Sequence, residues 1–162
     1  MTEFYAQPYS TEHAGFYFDS YEKFDEGMEK LNNKGCEEVE IQFIDGKAHH
    51  PSLFKASGIS QANISLWFDE LEDLTSFEAT QLCYLLDYVA LDLDDALSRS
   101  DEVCLHYGTA EDYAQELFED CYDIPDYLQN YIDYEAIARD MIINGEIIEI
   151  ERDLIVTNAH EF

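Results

Sequence analysis

The side chains in this sequence that could do chemistry are above all carboxylates. Of the 162 residues, 37 are Asp or Glu and only 8 are Lys or Arg, which gives a formal net charge of -29. Two neighbouring carboxylates can act as an acid and a base in catalysis, but no pair stands out among so many. The chemistry that the whole set offers is electrostatic, because fixed like charges create a strong field around a protein.

The remaining reactive residues do not form a catalytic or metal-binding pattern. Cys104 and His106 fall on one face of a predicted strand without a third partner, so we expect core packing there. His49 and His50 are adjacent, so their rings would point apart in an extended segment. Residues 92–95 lack the glycine of a calcium loop. The common nucleotide-binding, zinc-protease and serine-hydrolase motifs are also missing. We therefore predict a protein that is not an enzyme and uses no cofactor or metal.

The amount of charge is comparable with that of DNA. Duplex DNA carries one negative charge per about 1.7 Å of axis, so the same charge would cover roughly 49 Å, or about 14–15 base pairs. The charge fits a folded imitation of DNA, and it also fits a soluble protein adapted to high salt. The chain is 46% hydrophobic and 14% aromatic, unlike disordered acidic tails. The carboxylates must therefore decorate an ordered body.

No segment suggests export or insertion into a membrane. The segment Met1–Tyr5 has neither the basic nor the apolar region of a signal peptide. Uncharged apolar runs such as 82–86 are only about five residues long, far short of a membrane span. The cysteines form no CxxC pair, and we interpret them as free thiols, three of them in the core. We expect a soluble, cytoplasmic protein that does not bind membranes.

The charge distribution and the apolar patterns predict an α+β fold made of three small modules. Residues 1–57 have a net charge of -6 and read as mixed α and β. Residues 58–102 have a net charge of -10 and read as helical, and residues 103–162 have a net charge of -13 and read as mixed again. All the lysines lie in the first module, ending at Lys55.

Periodic apolar residues and turn residues predict the elements of each module. Asp19 or Ser20 can cap a helix that ends near Leu31. Thr75–Glu78 is a capping-box pattern, and Thr109 can cap a further helix. The predicted helical stripes are Leu66, Trp67, Leu71 and Leu74; Leu82, Leu85, Leu86, Val89 and Leu93; and Tyr113, Leu117 and Phe118. The predicted strands are 15–18, 38–43, 103–107, 147–150 and 154–156, with Pro51 as a breaker and Asn144-Gly145 as a hairpin turn before the last two.

The most specific segment of the chain is residues 124–140. This stretch closely resembles the antirestriction motif of the ArdA family, and length, acidity and layout extend the resemblance to the whole chain. One departure is Ala138, where the family pattern has Gly, and Ala suits a helix. The resemblance implies a DNA mimic that inhibits type I restriction–modification enzymes. It also implies an elongated homodimer with three small domains per subunit and with the motif near the dimer contact.

The resemblance implies that carboxylates occupy the Lys and Arg positions that grip phosphates in the specificity and methyltransferase subunits of the enzyme. We therefore expect no direct binding of nucleic acid by this protein. The acids of the second and third modules are the predicted mimic surface: Asp69, Glu70, Glu72, Asp73, Asp87, Asp92, Asp94, Asp95, Asp101, Glu102, Glu111, Asp112, Glu116, Glu119, Asp120 and Asp123.

The motif also has a structural interpretation that comes from its residues alone. Tyr131, Tyr134, Ile137 and Met141 follow helical spacing, which indicates core burial, a subunit contact, or both. Arg139 is expected to be an ion-pair partner rather than a catalytic group. With the resemblance, the predicted motif and dimer contact comprises Leu128, Gln129, Asn130, Tyr131, Ile132, Asp133, Tyr134, Glu135, Ile137, Arg139, Asp140 and Met141.

A second function fits the same composition. An acidic adaptor or chaperone that holds basic DNA-binding proteins would also be folded, acidic and non-enzymatic. Competition with DNA for one restriction enzyme would distinguish the mimic from such an adaptor, which would bind basic proteins in general.

Overall fold

The computed structural model describes residues 1–162, which divide into two compact units, residues 1–97 and residues 98–162. Each unit contains one three-stranded antiparallel sheet together with helices, which confirms the predicted α+β fold. The predicted division into three modules, at 57/58 and 102/103, stays a prediction. None of the helices combines the length and the apolar composition that crossing a membrane requires.

The sheet of unit 1 has its first strand in the centre, in the order β2-β1-β3, and both pairings are antiparallel. Helix α3 continues directly into a π-helical turn at Trp67–Leu71, and α5 contains the boundary between the units. The elements are β1 (Glu3–Pro8), β2 (Phe16–Phe18), α1 (Tyr21–Asn32), β3 (Val39–Asp45), α2 (His50–Ser57), α3 (Ile64–Leu66), α4 (Ser76–Asp87) and α5 (Leu93–Arg99).

An aromatic cluster around Phe4 forms the core of unit 1. Phe4 is fully buried in the central strand. Its ring lies 5.4–5.9 Å from five other rings, those of Phe18, Phe43, Phe54, Trp67 and Phe68. Aromatic pairs at such distances stabilise a fold by about 0.5–1.5 kcal/mol each beyond the area that they bury. The cluster therefore joins the sheet to α2 and to the π-helical turn.

His50 is a polar residue inside this core. Its imidazole is fully buried, and its Nε2 lies 3.1 Å from the carbonyl oxygen of Glu72, to which it must donate a proton. Nδ1 is then the acceptor, and it lies 2.9 Å from the hydroxyl of Thr2. Desolvation by burial lowers the pKa of His50 below its usual value, so the ring is held neutral while it links three segments of unit 1.

Unit 2 packs two helices against a sheet in the order β4-β6-β5. Its core comprises Ala110, Ala114, Ala138, Met141, Ile147 and Ile155. Ala138, the departure from the family pattern, is thus accommodated in the core. The elements are a 3₁₀ turn (Ser100–Glu102), β4 (Leu105–Tyr107), α6 (Ala110–Cys121), α7 (Asp126–Gln129), α8 (Tyr134–Ile143), β5 (Ile148–Glu151), β6 (Leu154–Val156) and a 3₁₀ turn (Ala159–Glu161).

The helical stripe predicted over residues 131–141 is interrupted. The Asp133 side chain accepts a hydrogen bond of 2.9 Å from a backbone N–H in the first turn of α8, so the helix starts only at Tyr134. Tyr131 precedes this cap and is 84% exposed. The stripe is confirmed for Tyr134 and Ile137, which are half-buried, and for Met141, which is buried. Tyr131 lies outside the helix and outside the core, and its place in a subunit contact stays a prediction.

The Asn144-Gly145 pair ends α8 and is not the predicted hairpin turn. Gly145 has a φ of +73°, and the next backbone N–H, that of Glu146, donates to the Met141 carbonyl over 2.9 Å. This is a glycine C-cap, in which the left-handed residue closes the last turn of a helix. The hairpin between β5 and β6 turns instead at Asp153, whose φ is +59°.

Other differences from the sequence prediction concern unit 1 and the cysteines. The stripe from Leu82 to Leu93 is divided between α4 and α5, with a left-handed Ala90 (φ +61°) between them. Strand β1 and helix α2 were not predicted, and Pro51 lies in the first turn of α2 rather than breaking it. All four cysteines are free thiols, but the expectation of three in the core is wrong, because only Cys36 is buried, Cys83 is half-buried, and Cys104 and Cys121 are exposed.

The buried imidazole gives a pH-dependent prediction. Because the pKa of His50 is lowered on folding, its contribution is fully present above the unfolded pKa, about 6.5. This contribution is lost as the pH falls below that value, since the His50 imidazole then takes up a proton in the unfolded chain but stays neutral in the native state. His50→Gln should destabilise unit 1 by about 1–3 kcal/mol at pH ~7.5. It should also lose less stability than the parent protein between pH ~7.5 and pH ~5.5.

Urea unfolding at the two pH values measures this effect. His49→Gln is the matched control, because His49 is only half-buried and likewise bonds a carbonyl, that of Leu74, over 3.0 Å. It should keep most of the parental pH dependence. A parental pH dependence in His50→Gln would contradict the assignment.

Candidate partner-binding surface

The predicted acidic surface is exposed in both units, with one exception. Every acid of the predicted set is exposed except Glu72. The Glu72 side chain is 19% exposed. It accepts a hydrogen bond of 2.6 Å from the backbone N–H of Thr2 and lies 3.6 Å from the N-terminal ammonium. Glu72 therefore stabilises unit 1 from within, and its carboxylate is already partnered.

The remaining predicted acids fall into two groups, one on each unit. Those of unit 1 are Asp69, Glu70, Asp73, Asp87, Asp92, Asp94 and Asp95. Those of unit 2 are Asp101, Glu102, Glu111, Asp112, Glu116, Glu119, Asp120 and Asp123. All of these acids except Asp73, Asp92 and Asp123 lie in helices or helical turns of their own unit.

Helix α6 carries five acids of this surface. Ala110 and Ala114 are buried in the core of unit 2 with Tyr113 and Leu117 packed beside them, which turns the other side of the helix to solvent. That side presents Glu111, Asp112, Glu116, Glu119 and Asp120, all exposed. An α-helix rises about 1.5 Å per residue, so five acids over the ten residues from Glu111 to Asp120 average one charge per about 3.0 Å. The duplex carries one per about 1.7 Å and each strand one per about 3.4 Å.

Two capping boxes fix further carboxylates in their ionised form. At the start of α6 the hydroxyl and backbone N–H of Thr109 donate to Asp112 over 2.7 and 3.0 Å, and these hydrogen bonds lower the pKa of Asp112. At the start of α4 the backbone N–H and hydroxyl of Thr75 lower the pKa of Glu78 in the same way. In α5, the Asp92 side chain accepts from the Asp95 N–H over 2.9 Å. The caps therefore hold acids in place at three helix starts.

Few of these acids have a cationic neighbour. Arg99 pairs with Glu102 over 2.9 Å, and His106 lies 3.7 Å from Glu116. Arg139, expected to form an ion pair, is exposed and has no carboxylate within 4.0 Å. An exposed ion pair is worth only about 0–1 kcal/mol and immobilises two side chains, so Arg139 gains little from one. The negative field of the surface is largely uncompensated within the chain.

The predicted motif divides into a packed part and an exposed part. Ile132, Tyr134 and Ile137 are half-buried and Met141 is buried, and Ile137 packs against the core of unit 2. The exposed residues of the motif are Leu128, Gln129, Asn130, Tyr131, Asp133, Glu135, Arg139 and Asp140. Large apolar side chains around α7 and the end of α8 are exposed as well: Tyr127 (73%), Leu128 (42%), Ile142 (39%) and Ile143 (73%).

The profile of the antirestriction protein (ArdA) family matches residues 3–156 of this chain, which is nearly its full length. The chain belongs to the ArdA family. Membership implies an antirestriction function, with a restriction enzyme as the partner, and the family acts by inhibition rather than by a known enzymatic activity. A comparison with the curated proteins gives no match.

The ArdA chain also exposes acids that the predicted set omitted. In β5, Glu149 and Glu151 are exposed and alternate with half-buried Ile148 and Ile150. Alternation of acidic and apolar residues is the sequence signal that could have identified them, because successive side chains of a strand point to opposite faces. No group of three or more His, Cys, Asp or Glu side chains is arranged to hold a metal ion.

Repulsion along α6 gives a salt-dependent prediction for this ArdA protein. Replacing Glu116 and Glu119 with Gln and Asp120 with Asn should raise the melting temperature by a few degrees at ~20 mM NaCl, because like charges on one helix face repel. The gain should shrink at ~500 mM NaCl, where the Debye length is only a few ångströms. Gln115→Glu, which adds a charge to the same face, should have the opposite effect. Melting curves that do not depend on salt would contradict this account of the repulsion.

Proposed function

We propose that this protein is a DNA mimic that inhibits type I restriction–modification enzymes. In the cytoplasm, its carboxylate surface occupies the DNA-binding groove of the specificity and methyltransferase subunits. There the carboxylates meet the Lys and Arg side chains that otherwise hold phosphates, so DNA is excluded by competition. Cleavage is blocked without any reaction or cofactor, and methylation is open to the same block because both activities need the groove.

The observation that supports this proposal best is the acidic face of α6. Its charges average one per ~3.0 Å along the axis, which lies between the spacings of one DNA strand and of the duplex. They sit on a helix whose other side is anchored in a core. A disordered acidic tail could match the charge, but only an ordered element holds the charges at fixed positions.

We further propose that the protein acts as a homodimer through the motif segment. The exposed apolar side chains around α7 and the end of α8 provide a surface of the kind that subunit contacts cover. Two subunits would carry a charge equivalent to roughly 99 Å, or about 29 base pairs, of duplex as an upper bound. That length suits a bipartite recognition site.

Inhibition should depend on the number of acids and on no single one. One exposed pair contributes only about 0–1 kcal/mol, whereas steering and affinity depend on the summed field. Inhibition should weaken modestly when only three charges are removed, by changing Asp92, Asp94 and Asp95 to Asn. Helix α5 should stay folded in this variant, because Asn at position 92 still caps it. Inhibition should weaken by orders of magnitude when eight exposed acids are neutralised, namely Asp69, Glu70, Asp73, Asp94, Asp95, Glu111, Glu119 and Asp120.

The measurement is titrated inhibition of cleavage and of methylation by a type I enzyme, with a type II enzyme as the specificity control. Thermal unfolding confirms that each variant is folded. In the same assay, specific DNA should displace the protein from the enzyme, leaving no ternary complex at saturation. A stable complex of protein, enzyme and specific DNA would exclude competitive mimicry. Equal binding to unrelated basic proteins would favour the acidic adaptor.

The dimer contact is tested by a residue that the fold of unit 2 does not need. Ile137→Asp would place a charge against the core and disturb the fold as well as any contact. Tyr131→Asp changes a side chain that is 84% exposed, so it should give a folded monomer. Sedimentation velocity measures the oligomeric state. The control is Tyr17→Asp in unit 1, at a tyrosine that is 63% exposed, and this variant should remain a dimer. A dimeric Tyr131→Asp protein would refute the contact.

A further inference from the structure

A groove in unit 1 follows the line where strand β2 meets helix α1. Its volume is about 320 Å³. Strand β2 is at the edge of the sheet, because it pairs only with β1. The groove is lined by Phe16 and Tyr17 from the strand and by Lys23, Lys30, Leu31 and Lys34 from the helix and the turn after it.

The cations in this groove are the unusual feature. Three of the five lysines of a chain with 37 acids line it. Lys23 pairs with Asp19 over 2.6 Å, but the ammonium groups of Lys30 and Lys34 have no carboxylate within 4.0 Å. Lys30 complements the C-terminal end of the α1 dipole, which explains one charge at this position but not a row of them along a groove.

Strand β2 also has an open edge, because it pairs on one side only. In an antiparallel pair, a residue directs both its N–H and its C=O either toward its partner or away from it, and successive residues alternate. Strand β2 therefore presents to its open side groups that β1 does not use. On the helix side, Gly27 brings α1 close to the strand, because a Cβ atom there would collide with the ring of Phe16.

We propose that this groove binds an extended acidic segment of a partner protein, which adds to the sheet as a strand beside β2. Backbone hydrogen bonds would hold the segment, as in other cases of strand addition, and its carboxylates would face Lys30 and Lys34. This site is distinct from the proposed mimic surface, because lysines are repelled by a DNA-binding groove that is itself cationic. It goes beyond the antirestriction function and does not depend on it.

The lining favours a peptide over a single-stranded nucleic acid. The Glu26 carboxylate also lines the groove and would repel a continuous row of phosphates, whereas a peptide can place an uncharged side chain beside it. The Phe16 ring packs against Gly27, so that side of the ring cannot stack on a base. A nucleic acid also lacks the regular N–H and C=O groups that an edge strand can pair with.

The test is fluorescence anisotropy of the full-length protein with a labelled peptide, acetyl-Glu-Val-Glu-Val-Glu-Val-Glu-amide, at ~50 mM NaCl. Binding should be saturable. Lys30→Glu with Lys34→Glu should weaken it about tenfold, the loss expected for two exposed ion pairs. The matched control is Lys55→Glu with Arg152→Glu, which changes the net charge equally at exposed positions outside the groove. That control should weaken binding less than about twofold.

Further variants of the protein and of the peptide test the charge contribution and the backbone hydrogen bonds separately. Lys30→Gln with Lys34→Gln should also weaken binding, which covers the case in which the Glu variant misfolds. Replacing every Glu of the peptide with Gln, or methylating alternate backbone nitrogens, should each weaken it. The proposal is overturned by absent binding, by equal losses in groove and control variants, by insensitivity to N-methylation, or by tighter binding of an oligothymidylate of the same length.

Discussion

Burial of apolar side chains in each unit has to outweigh the repulsion among carboxylates, and the rest of the structure depends on that balance. In unit 1 this stabilising burial is concentrated around Phe4, whose ring contacts five others. Because Phe4 lies on the central strand, the sheet, α2 and the π-helical turn share one core. Unit 2 lacks such an aromatic hub and relies on close packing of two helices through Ala114 and Ala138.

Features that depend on neighbouring residues could be predicted from the sequence. Ser20, Thr75 and Thr109 all cap helices as expected, because a cap needs only a hydroxyl and a backbone N–H two or three residues later. The outward acids of α6 followed from helical periodicity alone. Family membership followed from one segment of unusual sequence, and the match over residues 3–156 confirms it.

Features that depend on distant residues could not be predicted in this way. Strand β1 is central only because β2 and β3 pair on either side of it, and its Glu, Ala and Pro are weak strand formers. The neutral, buried state of His50 needs Thr2 and Glu72, which are far away in sequence. Tyr131 fits a helical stripe by spacing, and the cap at Asp133 removes it from the helix. The lysine groove appears only once β2 and α1 lie side by side.

The scarcity of internal ion pairs has a consequence for the solution around the protein. Carboxylates without a Lys or Arg beside them collect a cloud of sodium, potassium or magnesium ions, as the phosphates of DNA do. A cationic partner that took their place would return these ions to the bulk, and their gain in entropy would favour association. The acidic surface is thus surrounded by loosely held cations, and the affinity of any basic partner depends on the ionic composition of the cell.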